Sequence, residues 1–511
     1  MVPTYSRLSS AFSASNSASD INSKSSTGES KGPSSRLLIL FVLTLALFEV
    51  GRKFTQVMKI STIHDGDADT PTQILFGGKT TTTTRRREKI IIGYAVSVTH
   101  FTMEDHEKSK VKLLDRAAVL HQSIKLAMEK SPTYDYHIYA FVHPNAVECI
   151  PIMTLLGYRV QVRDTPFNIT DISNPELIKV QDNGCCDERE YIKLYSYLLL
   201  DYPVVVHLDL DSIVLRPMDD LFNLMTTKTR FKKEDTERFA RTSTMWLKHN
   251  NTKNISWSSS LSTDNILTKP EQINFMFTRD YNMVDPPRKK VYQIGVQGGF
   301  LFVRPNRRDF DRMVNIILSG GGFSNSCWGG ELGYGGYYGA GTIQGLASFY
   351  YDYHENSKRS IELNRCYYNT MVDAPYHFDK KQNKNICRTT ENTCQDCGET
   401  KLEEIYTSHF TVCGKPEWCL RKNPKKSEQE RLCYELFREW HMVRLTVEID
   451  WVKRFDGYVS LWDDGLNSTT ELRQNYLKSS KMGYCKDGEY IPLQFPYSNE
   501  TANNGYLDLI P

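Results

Sequence analysis

Two aspartates two apart, Asp209 and Asp211, interrupt the apolar stretch VVVHLDLDSIVL that runs from Val204 to Leu215. On an extended backbone, residues two apart project from one face, so both carboxylates would point the same way and Leu210 the other. A carboxylate pair leaving the carboxyl end of a buried strand, where open α/β sheets bind their ligands, suits Mg²⁺ or Mn²⁺ carrying a phosphate-containing substrate. The same spacing also arises from plain loop polarity or helix N-capping.

The elements that must position this pair alternate. Lys89 to Val98 (KIIIGYAVSV) is β-branched and apolar, as expected of a buried strand. Val111 to Lys130 places Leu114, Ala117, Ala118, His121, Ile124 and Lys125 at helical spacing. Tyr134 to Val142 is the next strand, and Ala146 to Leu156 the next helix, with Gly157 as its C-cap. Arg159 to Val162 is a short strand, Glu188 to Leu200 a helix, and Val204 to Leu208 the strand that delivers the aspartates. Strands alternating with helices imply an α/β fold with a mostly parallel central sheet.

With 511 residues, 40% of them hydrophobic and 12% aromatic, the chain can bury a large core and hold two or three domains, or one with large insertions. Its 63 basic residues nearly balance 61 acidic ones, which gives no reason to expect a nucleic-acid partner. Residues 1–36 contain thirteen serines and read as a disordered cytosolic tail. Leu37 to Phe48 (LLILFVLTLALF) carries no charge and is extended to residues 37–51 as a signal-anchor transmembrane segment. A cleaved signal peptide and a buried helix compete with that reading. The long polar leader and the lack of a small-x-small cleavage site favour the anchor. Lys and Arg counts do not orient it.

Five N-x-S/T sequons, at Asn168, Asn250, Asn254, Asn467 and Asn499, follow the anchor, as do all twelve cysteines. Cys394 and Cys397 form a CxxC, but neither a second CxxC nor a close histidine pair completes a zinc site, and disulfides in an oxidising lumen are the better account. Together these features place the body in the lumen of the Golgi or endoplasmic reticulum, with residues 52–88 as a flexible stem. Residues 225–270 are polar and read as an insertion. Gln297 to Pro305 (QGGFLFVRP) sets a glycine pair before an alternating strand, as where backbone must come close to a ligand or another strand. Gly320 to Gly345 holds eleven glycines in 26 residues, without a phosphate-loop pattern. It is either a substrate-shaping segment or a floppy surface loop.

Tyr191 to Phe222, YIKLYSYLLLDYPVVVHLDLDSIVLRPMDDLF, resembles the central segment of glycosyltransferase family 8, the glycogenin-like retaining transferases. QGGFLFVRPN, TIQGLASFYY and HFTVCGKPEW (His409 to Trp418) follow in that family's order. The resemblance spans residues 89–420 apart from the insertion, leaving 421–511 as a C-terminal extension. It implies a GT-A type fold, a divalent cation (Mn²⁺ or Mg²⁺), a UDP-sugar donor and a glycan or glycoprotein acceptor. By the same resemblance Asp209, Asp211 and His409 ligate the metal, Lys415 reaches the diphosphate, and Lys193, Thr99, Gln297 and Gly414 lie at the donor. Gln344 is then the residue at the reacting sugar. On its own, His409 reads first as a satisfied structural histidine.

Ile343 stands where the family usually has Asp, Gln297 where it has Asn, and one extra residue separates His409 from Gly414. Three functions follow: a luminal metal-dependent hexosyltransferase acting with retention; a catalytically inactive luminal lectin or scaffold; and a haloacid-dehalogenase-like phosphatase. The phosphatase shares the hydrophobic-DxD pattern, but its fold normally begins with that strand, whereas here a long α/β stretch precedes it.

Overall fold

The computed structural model describes residues 89–496 apart from 110–111, 181–185, 227–272, 282–293, 331–332, 336, 338, 355–359, 375, 380–381, 388–394, 459 and 461–483. The polar leader, the apolar run 37–51, the stem and most of the polar insertion lie outside the described residues. Among the described residues, no helix is long and apolar enough to cross a membrane.

In chain order the elements that build the site are β1 (Ile90–Val98), α1 (Leu113–Met128), β2 (Tyr134–Val142), α2 (Ile150–Leu156), β3 (Arg159–Val162), the 3₁₀ helix Asp187–Leu198, β4 (Val205–Leu208), β5 (Ser212–Val214) and α3 (Asp219–Thr226). After the insertion come β6 (Phe275–Arg279), β7 (Val296–Val303), α4 (Arg307–Ser319), α5 (Ile343–Phe349), β8 (Ser360–Glu362), β9 (Thr407–His409) and the 27-residue α6 (Glu428–Arg454). The central sheet has seven strands in the order β8-β6-β7-β4-β1-β2-β3, and only β7 runs against the others. This is the mostly parallel α/β sheet that the strand-helix alternation predicts.

Both faces of the sheet are covered, which explains why its strands read as continuous apolar runs. Tyr94, Val96, Val206, Leu208, Phe300 and Phe302 point into one core with α1. The intervening Ala95, Val205, Leu301 and Val303 enter a second core with the 3₁₀ helix, α4 and α5. A third core joins α6 to Val119, Ile213 and Phe410, so the segment after residue 420 packs directly on the elements beside the aspartates.

Local chemistry moves several boundaries. The helix expected over Ala146–Leu156 is two pieces, a 3₁₀ turn Pro144–Cys149 and then α2. Pro151 lacks the N–H that an α-helix would send back to Val147, and Ile150 instead donates to Val147 in the tighter i−3 pattern. Gly157 closes α2 at φ +99°, the left-handed position its lack of Cβ permits. The predicted helix Glu188–Leu200 is the 3₁₀ helix Asp187–Leu198. The glycine-rich segment is no floppy loop: Phe323–Ser324, Cys327–Trp328 and Tyr334–Gly335 form a small antiparallel sheet over buried Trp328. A Cβ on Gly335 would lie 2.0 Å from Cys327 Sγ.

The cysteines from Cys366 onward that are described close disulfides. Cys397 of the CxxC pairs with Cys366, Cys413 pairs with Cys433, and Cys419 pairs with Cys485. Cys387 is also disulfide-bonded. Asn168 is exposed, and the other four sequons lie outside the described residues.

Candidate active site and metal centre

β4 ends at Leu208 at the carboxyl edge of the sheet, and the chain turns at once into β5. The Ser212 N–H donates to the Asp209 carbonyl (3.1 Å), so Asp209–Asp211 form a tight turn and not the extended backbone expected from their spacing. The turn still aims both carboxylates at one point because its ends are held independently. Asp209 N–H donates to the Gly299 carbonyl (3.0 Å), and the Asp211 carbonyl accepts from Phe410 N–H (2.9 Å).

His409 is brought 198 residues along the chain to the same point by pairing register. β9 lies antiparallel to β5 with His409 opposite Ser212. Its Nε2 is 3.0 Å from Asp211 Oδ1 and 3.8 Å from Asp209 Oδ2. Ligand atoms of Asp209, Asp211 and His409 all lie within 4.8 Å of one another, so the two carboxylates and one imidazole fit a hard or borderline divalent cation. Gly299 supports this reading: a Cβ there would stand 2.5 Å from His409 Cε1 and 2.6 Å from Asp209 Oδ2. The close approach signalled by the glycine pair is therefore between backbone and metal-binding side chains.

Two lysines flank the carboxylates. Lys193 Nζ, from the 3₁₀ helix, bonds Asp209 Oδ1 (2.8 Å) and the Gly298 carbonyl (3.2 Å). Lys415 Nζ bonds Asp211 Oδ2 and the Phe410 carbonyl. Burial pushes the Asp209 carboxyl up, but Lys193 and His409 outweigh it and hold the group below its ordinary value. Asp211 feels the same opposing pull of burial; His409, Lys415 and Arg116 hold its carboxyl well below the usual range. Both side chains are therefore anionic at neutral pH, the state in which carboxylates bind metals.

A buried polar layer lies beneath. Gln297 Oε1 accepts from Gly299 N–H (2.7 Å) and from Asn369 Nδ2 (3.0 Å), and Asn369 also donates to Thr278 Oγ1 (3.0 Å). Gln344 Oε1 accepts from Gly298 N–H (3.1 Å). The two amides thus brace the glycine pair under the metal-binding side chains. His207, two residues before Asp209, links Ser97 of β1 to Ser196 of the 3₁₀ helix at 2.9 Å each, and burial lowers its pKa to about 3. Thr99 is half-buried just beyond β1, and Gly414, at φ +80°, sits in the turn before Lys415. Ile343 is fully buried in the second core, so it acts as packing.

Asn369 and Arg116 escaped the sequence reading. Asn369 sits at φ +60° in an irregular stretch, and Arg116, on α1, pairs with Glu417 and adds its charge to the field at Asp211. Neither position carries a local pattern that would mark it.

No protein-family model matches the chain, and no curated protein matches it. Its fold is similar to solved glycosyltransferase structures. One is LgtC, a galactosyltransferase in complex with donor and acceptor sugar analogs, at 13% identity and TM-score 0.30, covering 72% of this chain and 100% of that one. Another is apo mouse xyloside xylosyltransferase 1, at 10% identity and TM-score 0.33, covering 63% and 96%. A third is the Streptococcus pneumoniae glycosyltransferase GlyE, at 10% identity and TM-score 0.31, covering 72% and 64%.

Proposed function

We propose that the chain is a metal-dependent glycosyltransferase of GT-A type, related to family 8, that moves a hexose from a UDP-sugar to a glycan or glycoprotein acceptor with retention. The observation that carries this reading is the convergence of Asp209, Asp211 and His409 at the carboxyl end of the central strand, flanked by Lys193 and Lys415. Asp209, Asp211 and His409 would hold Mn²⁺ or Mg²⁺. Held there, such a cation would supply Lewis-acid charge to a leaving diphosphate. The chain's own part is positional: Lys193 fixes the Asp209 rotamer, Lys415 brings a point charge to the Asp211 side, and Gln344 and Gln297 hold the glycine pair that lets these groups meet. The disulfides and exposed Asn168 support a body in the Golgi or endoplasmic-reticulum lumen, which the apolar run 37–51 would anchor.

Titrating UDP into the full-length protein tests the reading. With Mn²⁺ present UDP should bind, and Asp211→Asn or His409→Ala should weaken binding by roughly 10–100-fold, the range for disturbing a metal's ligand environment. Equal affinity in chelator would remove these residues from the ligand set. The buried, apolar Ile343 favours the second reading, a luminal carbohydrate-binding protein without transfer activity. Binding of UDP with no turnover of any UDP-sugar would select it.

A further inference from the structure

We infer that the C-terminal hairpin of residues 485–490 is a positioning element for Lys415: it closes a ring of ties that fixes the loop from which this lysine reaches Asp211. The inference rests on the transferase reading above only for what Lys415 acts on, since the ring itself consists of contacts within this chain. The loop cannot place itself. The N–H groups of Gly414, Trp418 and Cys419 donate to the carbonyls of Thr411, Lys415 and Pro416, so these backbone bonds shape the turn without fixing where it sits. Lys415 also carries its charge on a flexible four-carbon stem.

The ties come from both ends of the loop. Cys413 is bonded to Cys433 of α6, and Cys419 to Cys485, the first residue of the hairpin. Asp487 and Gly488, at φ +54° and +90°, make the two-residue hairpin turn, with Cys485 paired to Tyr490 and Lys486 to Glu489. Two strands this short are not stable alone, so their neighbours must hold them. Asp115 of α1, fully buried, accepts from the Tyr490 hydroxyl (2.7 Å) and from Leu493 N–H (2.8 Å). The Tyr490 ring packs against Trp440 (6.0 Å between centroids) and the Arg444 guanidinium (4.9 Å) of α6.

The next residue of α1 closes the ring. Arg116 Nε donates to Glu417 (2.6 Å), which is buried two residues after Lys415, and the strand Glu489–Tyr490 lies against the same Pro416–Trp418 turn. Successive residues of one helix therefore grip the hairpin and the lysine loop, and the Cys419–Cys485 bridge joins the two gripped pieces covalently. Charge alternates along the path from Asp211 through Lys415 and Glu417 to Arg116. The hairpin belongs to the extension beyond residue 420, outside the stretch that resembles family 8, and Tyr490 is 375 residues from Asp115.

The test treats full-length protein with an amine-acetylating ester and follows Lys415 and Lys193 by peptide mass spectrometry. Both ammonium groups bond the aspartate pair, but Lys193 stands on the 3₁₀ helix outside the ring, so it reports general loosening. In Cys419→Ser/Cys485→Ser the Lys415 rate should rise about tenfold relative to Lys193, the factor that roughly 1.4 kcal/mol gives, and Mn²⁺-dependent UDP binding should weaken several-fold. Tyr490→Phe removes one oxygen and spares the bridge. It should shift the same ratio in the same direction by a smaller factor, and it decides the matter if the double variant does not fold. An unchanged ratio would overturn the inference. So would an equal rise at both lysines, because the hairpin would then support the fold as a whole. If wild type binds no UDP with Mn²⁺, the transferase reading fails, while the labelling ratio still decides whether the hairpin places Lys415.

Discussion

At the scale of single residues the site depends on what is missing as much as on what is present. Asp209 and His409 can meet only because position 299 has no side chain, since any Cβ there would fall within 2.6 Å of both. Gly299→Ala should therefore displace the imidazole or the carboxylate and weaken Mn²⁺-dependent UDP binding by about tenfold or more, comparable to losing part of a ligand environment. Calorimetry alongside an unchanged far-ultraviolet spectrum would check this, and wild-type affinity in the variant would mean that the two side chains need not converge. Gln297 and Gln344 act at the same scale. Each places its amide oxygen on a backbone N–H of the glycine pair, so their first effect is on the position of the backbone.

At the scale of elements, the decisive pieces are β9 and the loop that follows it. β9 has only three residues, yet its register against β5 brings His409 to the aspartates, and the loop beyond it carries Lys415 between two disulfides. The Cys413–Cys433 bridge closes a segment separated by 20 residues, for which chain-entropy reasoning gives about 3 kcal/mol. The double variant Cys413→Ser/Cys433→Ser should lose stability on that scale in denaturant titration. It should also bind UDP several-fold more weakly, because Lys415 is no longer held against Asp211. Retained affinity at the lower stability would show that the bridge serves the fold alone.

At the scale of the whole molecule, buried ionisable groups set the response to acid. His441, within α6, is fully buried beside Arg444, and its pKa is lowered to about 3 by burial and then by that guanidinium. The rings of Trp440, Tyr484 and Tyr490 surround it. In the unfolded chain a histidine titrates near 6.5, so above that pH neither state binds the proton. As pH falls from 6.5 toward 3 the unfolded state takes up a proton that the folded state refuses, and stability drops. His441→Gln should make the decline shallower by about 1.4 kcal/mol per pH unit through that window, read from denaturant midpoints between pH 6.5 and 4. An unchanged slope would mean that the imidazole is protonated in the fold. Asp352 runs the other way: burial lifts its carboxyl to about 7 against the pull of Arg279, so it favours the folded state as pH falls below 7. The proposed luminal location predicts that endoglycosidase will increase the gel mobility of the full-length protein expressed in eukaryotic cells. Absence of a shift, with all cysteines alkylated before reduction, would place the body elsewhere.

Much of this protein is written locally. The apolar, β-branched runs of β1 and β4 follow from burial on both faces, Gly157 ends α2 because it tolerates φ +99°, and Asp209 and Asp211 stand at a strand end because the apolar run stops there. The glycine pair announced a close approach without saying of what. Other features depend on partners far along the chain, and no local pattern encodes them. Asp209 and Asp211 lie on a turn because β5 must reverse to pair with β9, and the pairing of Cys397 with Cys366 followed from folding, not from its CxxC neighbour. Asn369 and Arg116 acquire meaning only from what the fold sets beside them. Sequence determined the sheet, its caps and the residue types able to bind a cation, because those are governed by burial and by backbone preference within a few residues. Tertiary structure alone decided that two carboxylates, an imidazole and two ammonium groups share one site, because their distances are set by strand register across 198 residues of chain and by bridges that no spacing rule predicts.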